Sequence, residues 1–366
     1  MARVYNFCAG PATLPLEVLE EAQAELVDFR GSGMSIMESS HRGKEYSAVH
    51  EEAAANFREL IGLSDDYAVL FLQGGASTQF AMVPMNLLGE GPSSSLGTGR
   101  TADYTNSGAW ATKAIKEAKL LGNVNIAADC AKDIPTRVPT EDELELTDGA
   151  AYVHITSNET ISGAQWKTFP QTDAPLVADM SSDILSRPFD ASRFGLIYAG
   201  AQKNLGPAGT ALVVIRKDLA ERAPDNVPTM LKYSTHIEKD SLFNTPPCFT
   251  VYIMMLVSRW LKKIGLENMY RQNVEKAAKL YAAIDATDFY SGTAVPECRS
   301  DMNVTFRIGN NDLEPKFIEE AAAAGLKGLK GHRSVGGLRA SIYNAFPVEG
   351  IDALVSFMQD FEKNNG

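Results

Sequence analysis

Apolar residues along this chain follow two different spacings. Short continuous apolar runs such as Tyr67–Leu72 and Phe194–Tyr198 predict buried strands. Between such runs, apolar and polar residues recur at helical spacing, as in Ala109–Leu121, and predict amphipathic helices. Further helices are predicted over 16–28 and 46–60, and further strands over 98–104, 150–155, 174–179 and 209–215. This alternation is typical of an α/β protein with a mainly parallel sheet and helices on both of its faces.

The pattern changes after the Pro246-Pro247 pair. Two long helical stretches come first, and strands that alternate with helices follow them, which indicates a smaller α+β lobe. The predicted elements are helices over 249–264 and 266–284, a strand over 302–308, a helix over 316–324, a strand over 337–342 and a helix over 351–364. Because 366 residues exceed what one hydrophobic core usually supports, we expect two domains. The large domain would cover 16–262, and the small domain would consist of 263–366 together with the N-terminal segment 1–15.

Composition and charge narrow the function classes. A net charge of -12 argues against nucleic acid and anionic membranes as partners. No apolar run approaches the roughly 20 residues that span a bilayer, and the N-terminus lacks a charged-then-apolar leader pattern. The four cysteines are dispersed, which is typical of reduced thiols, and the five histidines show no metal-ligand spacing. We therefore expect a cytoplasmic protein without a metal site.

Two polar residues follow predicted strands. Lys203 comes shortly after the strand that ends near Tyr198, and Asp179 ends the strand over 174–179. Alone, the lysine could lie on the surface and the aspartate could cap a helix beginning at Ser181. Together they are more specific, because open α/β sheets bind ligands at the carboxyl ends of their strands. A desolvated lysine can form a Schiff base and a carboxylate can hold a pyridine nitrogen protonated, so the pair predicts a pyridoxal phosphate site.

A glycine pair, Gly74-Gly75, lies between a predicted strand and a predicted helix. It predicts either a tight turn or a phosphate cradle at a helix N-terminus, since glycine lets the backbone approach an anion. The full glycine patterns of dinucleotide-binding and P-loop proteins are absent, which disfavours both classes. Gly91–Gly99 predicts a flexible loop.

Basic residues recur in the dipeptides His41-Arg42 and His332-Arg333, and Arg339 follows the second. The stretch Ala321–Val348 contains no acidic residue, so either it is a solvated basic face or it binds an anion. We favour an anion-binding site over a solvated basic face. Arginine binds carboxylate and phosphate through its planar fork, and the neighbouring glycines indicate a tight loop. Trp110, at a predicted helix start, could stack on a planar cofactor or belong to the core.

These residues stand in strings that resemble the phosphoserine aminotransferase family, class-V aminotransferases of fold type I that use pyridoxal 5'-phosphate. The likeness runs nearly end to end. The strings are Asn6-Phe7, Gly10-Pro11-Ala12, Ser40-His41-Arg42-Gly43-Lys44, Thr101-Ala102-Asp103-Tyr104, Asn158-Glu159-Thr160, Ala178-Asp179, Gly200-Ala201-Gln202-Lys203-Asn204, Phe243-Asn244-Thr245-Pro246-Pro247, Gly331-His332-Arg333 and Arg339-Ala340-Ser341-Ile342-Tyr343-Asn344-Ala345. The resemblance implies a large domain with a mainly parallel seven-stranded sheet.

The resemblance also implies a role for each residue. Lys203 would bond to the cofactor aldehyde, Asp179 would pair with the pyridine nitrogen and Trp110 would stack on the ring. The remaining cofactor contacts would come from Thr160 near the ring hydroxyl and, at the phosphate, from Ala76, Ser77, Gln202, Asn244 and Thr245. Substrate anions would be bound by His41, Arg42, His332, Arg333 and Arg339. Asn244 and Thr245, with one His-Arg pair, would reach the site from the partner subunit of a homodimer.

The expected reaction transfers an amino group between L-glutamate and 3-phosphonooxypyruvate, giving O-phospho-L-serine and 2-oxoglutarate in serine biosynthesis. Use of 4-phosphohydroxythreonine in vitamin B6 synthesis stays open. Another class-V enzyme is disfavoured by the paired His-Arg motifs, and a dinucleotide-dependent oxidoreductase or a non-catalytic binding protein is disfavoured by the missing glycine fingerprint. Some family members carry arginine where this chain has Ser77, and the segment around Ser93–Gly99 has no role that we can assign.

Overall fold

The computed structural model describes residues 3–89, 100–132 and 134–366, so the loop predicted at Gly91–Gly99 lies outside the described residues. The strands are β1 (Tyr5–Asn6), β2 (Tyr67–Leu72), β3 (Thr101–Asn106), β4 (Asn123–Asp129), β5 (Val153–Thr156), β6 (Asn158–Glu159), β7 (Ala164–Gln165), β8 (Leu176–Asp179), β9 (Phe194–Gly200), β10 (Ala211–Arg216), β11 (Tyr290–Gly292), β12 (Asn303–Ile308), β13 (Leu326–Lys327) and β14 (Leu338–Ser341). The α-helices are α1 (Leu16–Ala24), α2 (Lys44–Ile61), α3 (Gly75–Leu87), α4 (Ala109–Leu121), α5 (Lys217–Ala220), α6 (Tyr233–Glu238), α7 (Cys248–Ile264), α8 (Leu266–Asp285), α9 (Glu314–Ala323) and α10 (Val348–Asn365). Short 3-10 helices cover Phe29–Gly31, Glu141–Glu143, Ala191–Arg193, Thr229–Leu231, Pro296–Cys298 and Asn311–Leu313.

A seven-stranded sheet forms the centre of the fold, in the order β2-β10-β9-β8-β5-β3-β4. Strand β10 pairs antiparallel with both of its neighbours, while the pairs from β9 through β4 are all parallel. The mainly parallel α/β sheet predicted from the sequence is therefore confirmed.

The strands of this sheet contribute to a separate hydrophobic core on each face. In β2, Val69 and Phe71 pack into the core that contains α7, whereas Leu70 and Leu72 pack into the core on the opposite face. Alternate side chains point to opposite faces, so a strand covered on both faces is apolar throughout. This explains why the continuous run Tyr67–Leu72 predicted a strand with the bounds that the structure has.

A third core lies in the C-terminal part of the chain, around the three-stranded sheet β11-β12-β14. Phe317 of α9 and Leu354 of α10 pack against that sheet's Val304 and Phe306. Strand β1 pairs parallel with β13, which attaches the N-terminal segment to this core. None of the helices in the described chain is long and apolar enough to cross a lipid bilayer.

Some element bounds differ from the prediction. The helix predicted over 16–28 ends at Ala24, and Val27, which its pattern included, is 82 % exposed. The strand predicted over 98–104 covers Thr101–Asn106. Strand β4 was not predicted. It lies at the edge of the sheet, and most of its residues, including the polar Asn123 and Asn125, are exposed or half-exposed. Its sequence therefore lacks the apolar run that predicts a buried strand.

Candidate active site

The carboxyl ends of the sheet strands and the N-termini of two helices meet at one edge. Asp179 ends β8, Lys203 follows the end of β9, and α3 and α4 begin after β2 and β3. A cavity of about 600 Å³ opens there. Of the predicted site residues, it is lined by Ala76, Ser77, Trp110, Thr160, Asp179, Gln202, Lys203, His332 and Arg339.

Lys203 and Asp179 form the polar floor of this cavity. The Lys203 side chain is enclosed by protein on its other sides and open to the cavity. Burial lowers the pKa of Lys203, and the nearby carboxylates of Asp179 and Glu159 oppose that shift. Burial raises the pKa of Asp179, which is 5 % exposed, and the charge of Lys203 and the N–H of Ser181 oppose it. The Ser181 N–H donates to Asp179 Oδ1 at 2.9 Å and so orients that carboxylate.

The indole ring of Trp110 lies beside Lys203. The Trp110 ring centroid lies 5.5 Å from Lys203 Nζ, and its Nε1–H donates to Thr160 Oγ1 at 2.8 Å. The indole is therefore fixed at its polar edge, and a flat cofactor ring bonded near Lys203 can stack on its face. The alternative that Trp110 is only a core residue is disfavoured, because the ring lines the cavity.

The N-terminus of α3 provides the anion-binding end of the cavity. Gly74 precedes the helix with φ 88°, and a Cβ there would lie 1.9 Å from Thr78 Oγ1, so this position requires glycine. No side chain caps the helix, and the residues of its first turn, Gly75, Ala76 and Ser77, line the cavity. Uncapped N–H groups at a helix N-terminus bind phosphate, so the turn is suited to a phosphate group.

Arg339 lies at the opposite side of the cavity, on β14. Its Nη1 donates to the Thr160 carbonyl oxygen at 3.0 Å, while its buried Nε has no hydrogen-bond partner among the described residues. Arg339 lines the cavity, and a guanidinium can bind a carboxylate through its planar fork. His332 lines the same cavity, and burial together with the charges of Arg339 and Arg333 lowers its pKa.

The lining therefore fits pyridoxal phosphate group by group. The lining contains an amine, a carboxylate and an indole, together with the start of a helix that no side chain caps. These are the donors and acceptors that the aldehyde, the pyridine nitrogen, the ring face and the phosphate each require.

Five predicted residues do not line this cavity. Arg333 and Arg42 are exposed, and His41 is half-buried elsewhere in the chain. Thr245 is exposed and Asn244 donates through Nδ2 to Gln73 Oε1 at 3.2 Å, beside a separate cavity of about 240 Å³. Within one chain these residues are not brought together with Lys203.

Sequence reasoning gave no role to Glu159, although it quoted the string that contains it. Its side chain is fully buried beside the cavity, and its carboxylate accepts hydrogen bonds from the backbone N–H groups of Trp110 and Ala111. A polar string directly after a buried strand was the available signal. Ser181, whose Oγ accepts the N–H of Gly200 and whose N–H donates to Asp179, was also given no role, because contacts that involve backbone N–H groups leave no pattern in the sequence.

Comparison with known proteins agrees with this geometry. A family model described as Aminotransferase class-V matches residues 4–354. A phosphoserine aminotransferase of Desulfosudis oleivorans is 57% identical over 368 residues, which cover 100% of this chain and 99% of the relative. One from Niallia circulans is 54% identical over 367 residues with the same coverage.

Solved structures match over the whole chain as well. Phosphoserine aminotransferase from Bacillus circulans subsp. alkalophilus has a TM-score of 0.95 at 53% identity, covering 100% of this chain and 99% of that one. A pyridoxal phosphate-bound phosphoserine aminotransferase from Trichomonas vaginalis has a TM-score of 0.92 at 40% identity, covering 98% and 100%. The fold type expected from the resemblance is confirmed. The chain therefore belongs to the class-V aminotransferase family and, within it, to the phosphoserine aminotransferases, which are transaminases.

Proposed function

We propose that this chain catalyses reversible transfer of an amino group between L-glutamate and 3-phosphonooxypyruvate, giving 2-oxoglutarate and O-phospho-L-serine, with pyridoxal 5'-phosphate as cofactor. The observation that carries the proposal is the pairing of Lys203 and Asp179 in one cavity with a phosphate-binding helix N-terminus. When bound, the cofactor supplies an electron sink for the electron pair left at the substrate Cα after its proton departs.

The residues of the chain divide the remaining work. Lys203 Nζ would hold the cofactor aldehyde, and as a free amine it would move the substrate Cα proton as general base and acid. Its lowered pKa keeps a fraction of the amine neutral, as proton abstraction requires. The Asp179 carboxylate holds a proton on the pyridine nitrogen, and the first-turn N–H groups of α3, with Gln202, bind the phosphate.

Substrate recognition is assigned to the cationic side of the cavity. Arg339, which lines the cavity, binds the α-carboxylate through its guanidinium group. His332 lies beside it and binds the distal anion, which is a carboxylate in glutamate and a phosphate in the other substrate. Ser77 adds a hydroxyl at the α3 end, where an arginine would have added a charge.

The test is a coupled assay of glutamate formation from phosphoserine and 2-oxoglutarate. Lys203→Ala is expected to lower kcat by about 10²–10⁴-fold or more, because it removes the proposed general base and acid. Lys279→Ala is the control, since that lysine is an exposed residue of α8 paired with Asp352. Equal activity of Lys203→Ala and wild type would refute the assignment.

We further propose a homodimer in which Asn244, Thr245 and one His-Arg pair, His41-Arg42, complete the site across the subunit interface, since His332 of the other pair already lines the cavity of its own chain. Support comes from their placement away from Lys203 in the single chain. Mixing equal amounts of Lys203→Ala and Asn244→Ala protein is expected to raise the activity above that of the separate variants, toward about a quarter of wild type, because half of the dimers are mixed and one of the two sites in each mixed dimer is intact. No recovery after subunit exchange would contradict the shared site.

Two further expectations remain proposals. The boundary between domains 16–262 and 263–366 would fall near the end of α7. A cytoplasmic location is supported by the four cysteines, which are all free thiols.

A further inference from the structure

Glu159 holds the start of α4 from a neighbouring strand. Its Oε2 accepts the N–H of Trp110 at 3.2 Å and its Oε1 accepts the N–H of Ala111 at 3.0 Å. These are first-turn donors of α4, whose preceding residue, Gly108, has no side chain to cap them. A carboxylate from β6 thus does the work that a capping side chain would normally do.

The next residue, Thr160, holds two other groups of the site. Its Oγ1 accepts the indole Nε1–H of Trp110 at 2.8 Å, and its carbonyl oxygen accepts Arg339 Nη1–H at 3.0 Å. The dipeptide Glu159-Thr160 therefore contacts the main chain of Trp110, its ring and the guanidinium of Arg339. Asn158 anchors the same strand, since its Nδ2 donates to Ser182 Oγ and Asn303 Oδ1, each at 2.8 Å.

We propose that Glu159 is a positioning residue for the cofactor-stacking face. Its carboxylate fixes the backbone of Trp110 and, through Thr160, the spacing between that ring and Arg339. The inference rests on the proposed function, because it assigns Trp110 to the cofactor and Arg339 to the substrate carboxylate. In this proposal Glu159 contacts neither the cofactor nor the substrate, but it positions the side chains of Trp110 and Arg339.

The chemistry of Glu159 supports this role over that of a core residue. Its side chain is fully buried, and burial raises its pKa to about 7, while the two backbone N–H donors lower it. Burying a carboxyl group is unfavourable unless its oxygens are paired. Glutamine would keep one acceptor but would turn an NH₂ group toward the second backbone N–H, so only the acid matches both donors.

The residue at position 108 gives independent support for the contact between the Glu159 carboxylate and α4. Its backbone is extended, with φ 166°, a conformation open to any residue. A Cβ at this position would nevertheless lie 2.6 Å from Glu159 Cδ. The absence of a side chain at Gly108 is therefore what allows the carboxylate to reach α4, and Gly108→Ala should displace it without changing its charge.

The experiment compares the full chain without and with added pyridoxal phosphate. In the cofactor-free protein, Glu159→Gln and Gly108→Ala are expected to speed amide hydrogen exchange at residues 110 and 111 by at least about tenfold, and to shift tryptophan emission. Thr160→Val should shift the emission while leaving that exchange unchanged, which separates the two contacts. Glu117→Gln, in the second half of α4, is the matched control and should change neither readout.

Placing Glu159→Gln in a Trp110→Phe background shows whether Trp110 is the tryptophan that causes the emission shift. There the emission shift should vanish, because Trp166 and Trp260 lie outside the contact. Pyridoxal phosphate, added as the probe and followed by absorbance, should bind Glu159→Gln at least about tenfold more weakly than wild type. Far-UV circular dichroism confirms that each variant is folded.

The outcomes separate the inference from the proposed function. Wild-type exchange and emission in both Glu159→Gln and Gly108→Ala, in a protein that binds pyridoxal phosphate normally, would overturn the inference. Failure of the wild type to bind pyridoxal phosphate would instead overturn the proposed function. Faster exchange at residues 110 and 111, together with an emission shift that is absent in the Trp110→Phe background, supports the positioning role.

Discussion

Burial lowers the pKa of two lysines in this molecule, and one of them, Lys203, lines an open cavity. Lys203 lies at the edge of the large sheet, near Asp179 and Glu159, and no hydrogen bond joins its amine to another described residue. Lys276, on α8, is 3 % exposed and donates to backbone carbonyl oxygens. Its acceptors are Tyr343 at 2.8 Å, Ile342 at 3.1 Å, Phe346 at 3.2 Å and Asn344 at 3.5 Å.

The comparison separates burial from reactivity. Burial lowers the pKa of both lysines, so a lowered pKa does not by itself identify a reactive amine. The Lys276 amine donates to four backbone carbonyl oxygens. Lys203 has carboxylates within electrostatic range, an aromatic wall and a cavity. A buried lysine becomes a functional candidate only when its surroundings leave the nitrogen unpaired and accessible.

The largest expected effect comes from removing the acidic neighbour that Lys203 has and Lys276 lacks. Asp179→Asn keeps an oxygen to accept the Ser181 N–H, so the fold should persist, but the negative charge is lost. We expect kcat to fall by about 10²–10³-fold, as for loss of one preorganised electrostatic contact. Asp190→Asn, at an exposed carboxylate, is the control in the transamination assay. A kcat within a few-fold of wild type would count against a role for the charge.

The second effect is on stability and concerns the structural lysine. Lys276→Met leaves the carbonyl oxygens at 342–346 without their donor, and we expect a loss of about 3 kcal/mol in the free energy of unfolding. Lys279→Met, three residues along the same helix, removes only an exposed ion pair and should change it by less than about 1 kcal/mol. Urea unfolding compares the two variants. Equal midpoints would show that the buried contacts contribute nothing.

The third effect is that the loss in the free energy of unfolding caused by Lys276→Met depends on pH. Burial lowers the pKa of Lys276 from 10.5 to about 7, so between these values the unfolded chain binds more protons than the folded chain. The contribution of Lys276 to the free energy of unfolding therefore rises with pH across this window, by at most about 1.4 kcal/mol per pH unit. The difference between wild type and Lys276→Met should widen from pH 7 to pH 9 in urea unfolding. A difference that narrows would reverse the sign of the assigned shift.

The sequence predicted some parts of this comparison and missed others for identifiable reasons. Lys203 and Asp179 were predicted as a pair, because each follows an apolar run and strand ends meet at one edge of a parallel sheet. The bounds of α4 and β2 were predicted without error, since their apolar patterns have one clear period each. Lys276 was not singled out, because a lysine on an amphipathic helix gives no sign that it points at carbonyl oxygens.

Longer-range contacts were beyond sequence reasoning. The carboxylate of Glu159 pairs with backbone N–H groups about 50 positions away, and main-chain donors have no residue signature. The helix predicted over 16–28 was too long, because exposed apolar residues such as Val27 extended the pattern beyond the end of the helix. Patterns report which face is buried, whereas the partners of a buried polar group depend on the tertiary fold.

The most direct test of the central distinction labels both lysines in one experiment. The protein is incubated with pyridoxal phosphate, reduced with sodium borohydride and analysed by peptide mass spectrometry. We expect the pyridoxyl phosphate label on the peptide that contains Lys203 and none on the peptide that contains Lys276. A label on Lys276, or none on Lys203, would contradict the claim that the open cavity beside Asp179 makes one buried lysine the reactive one.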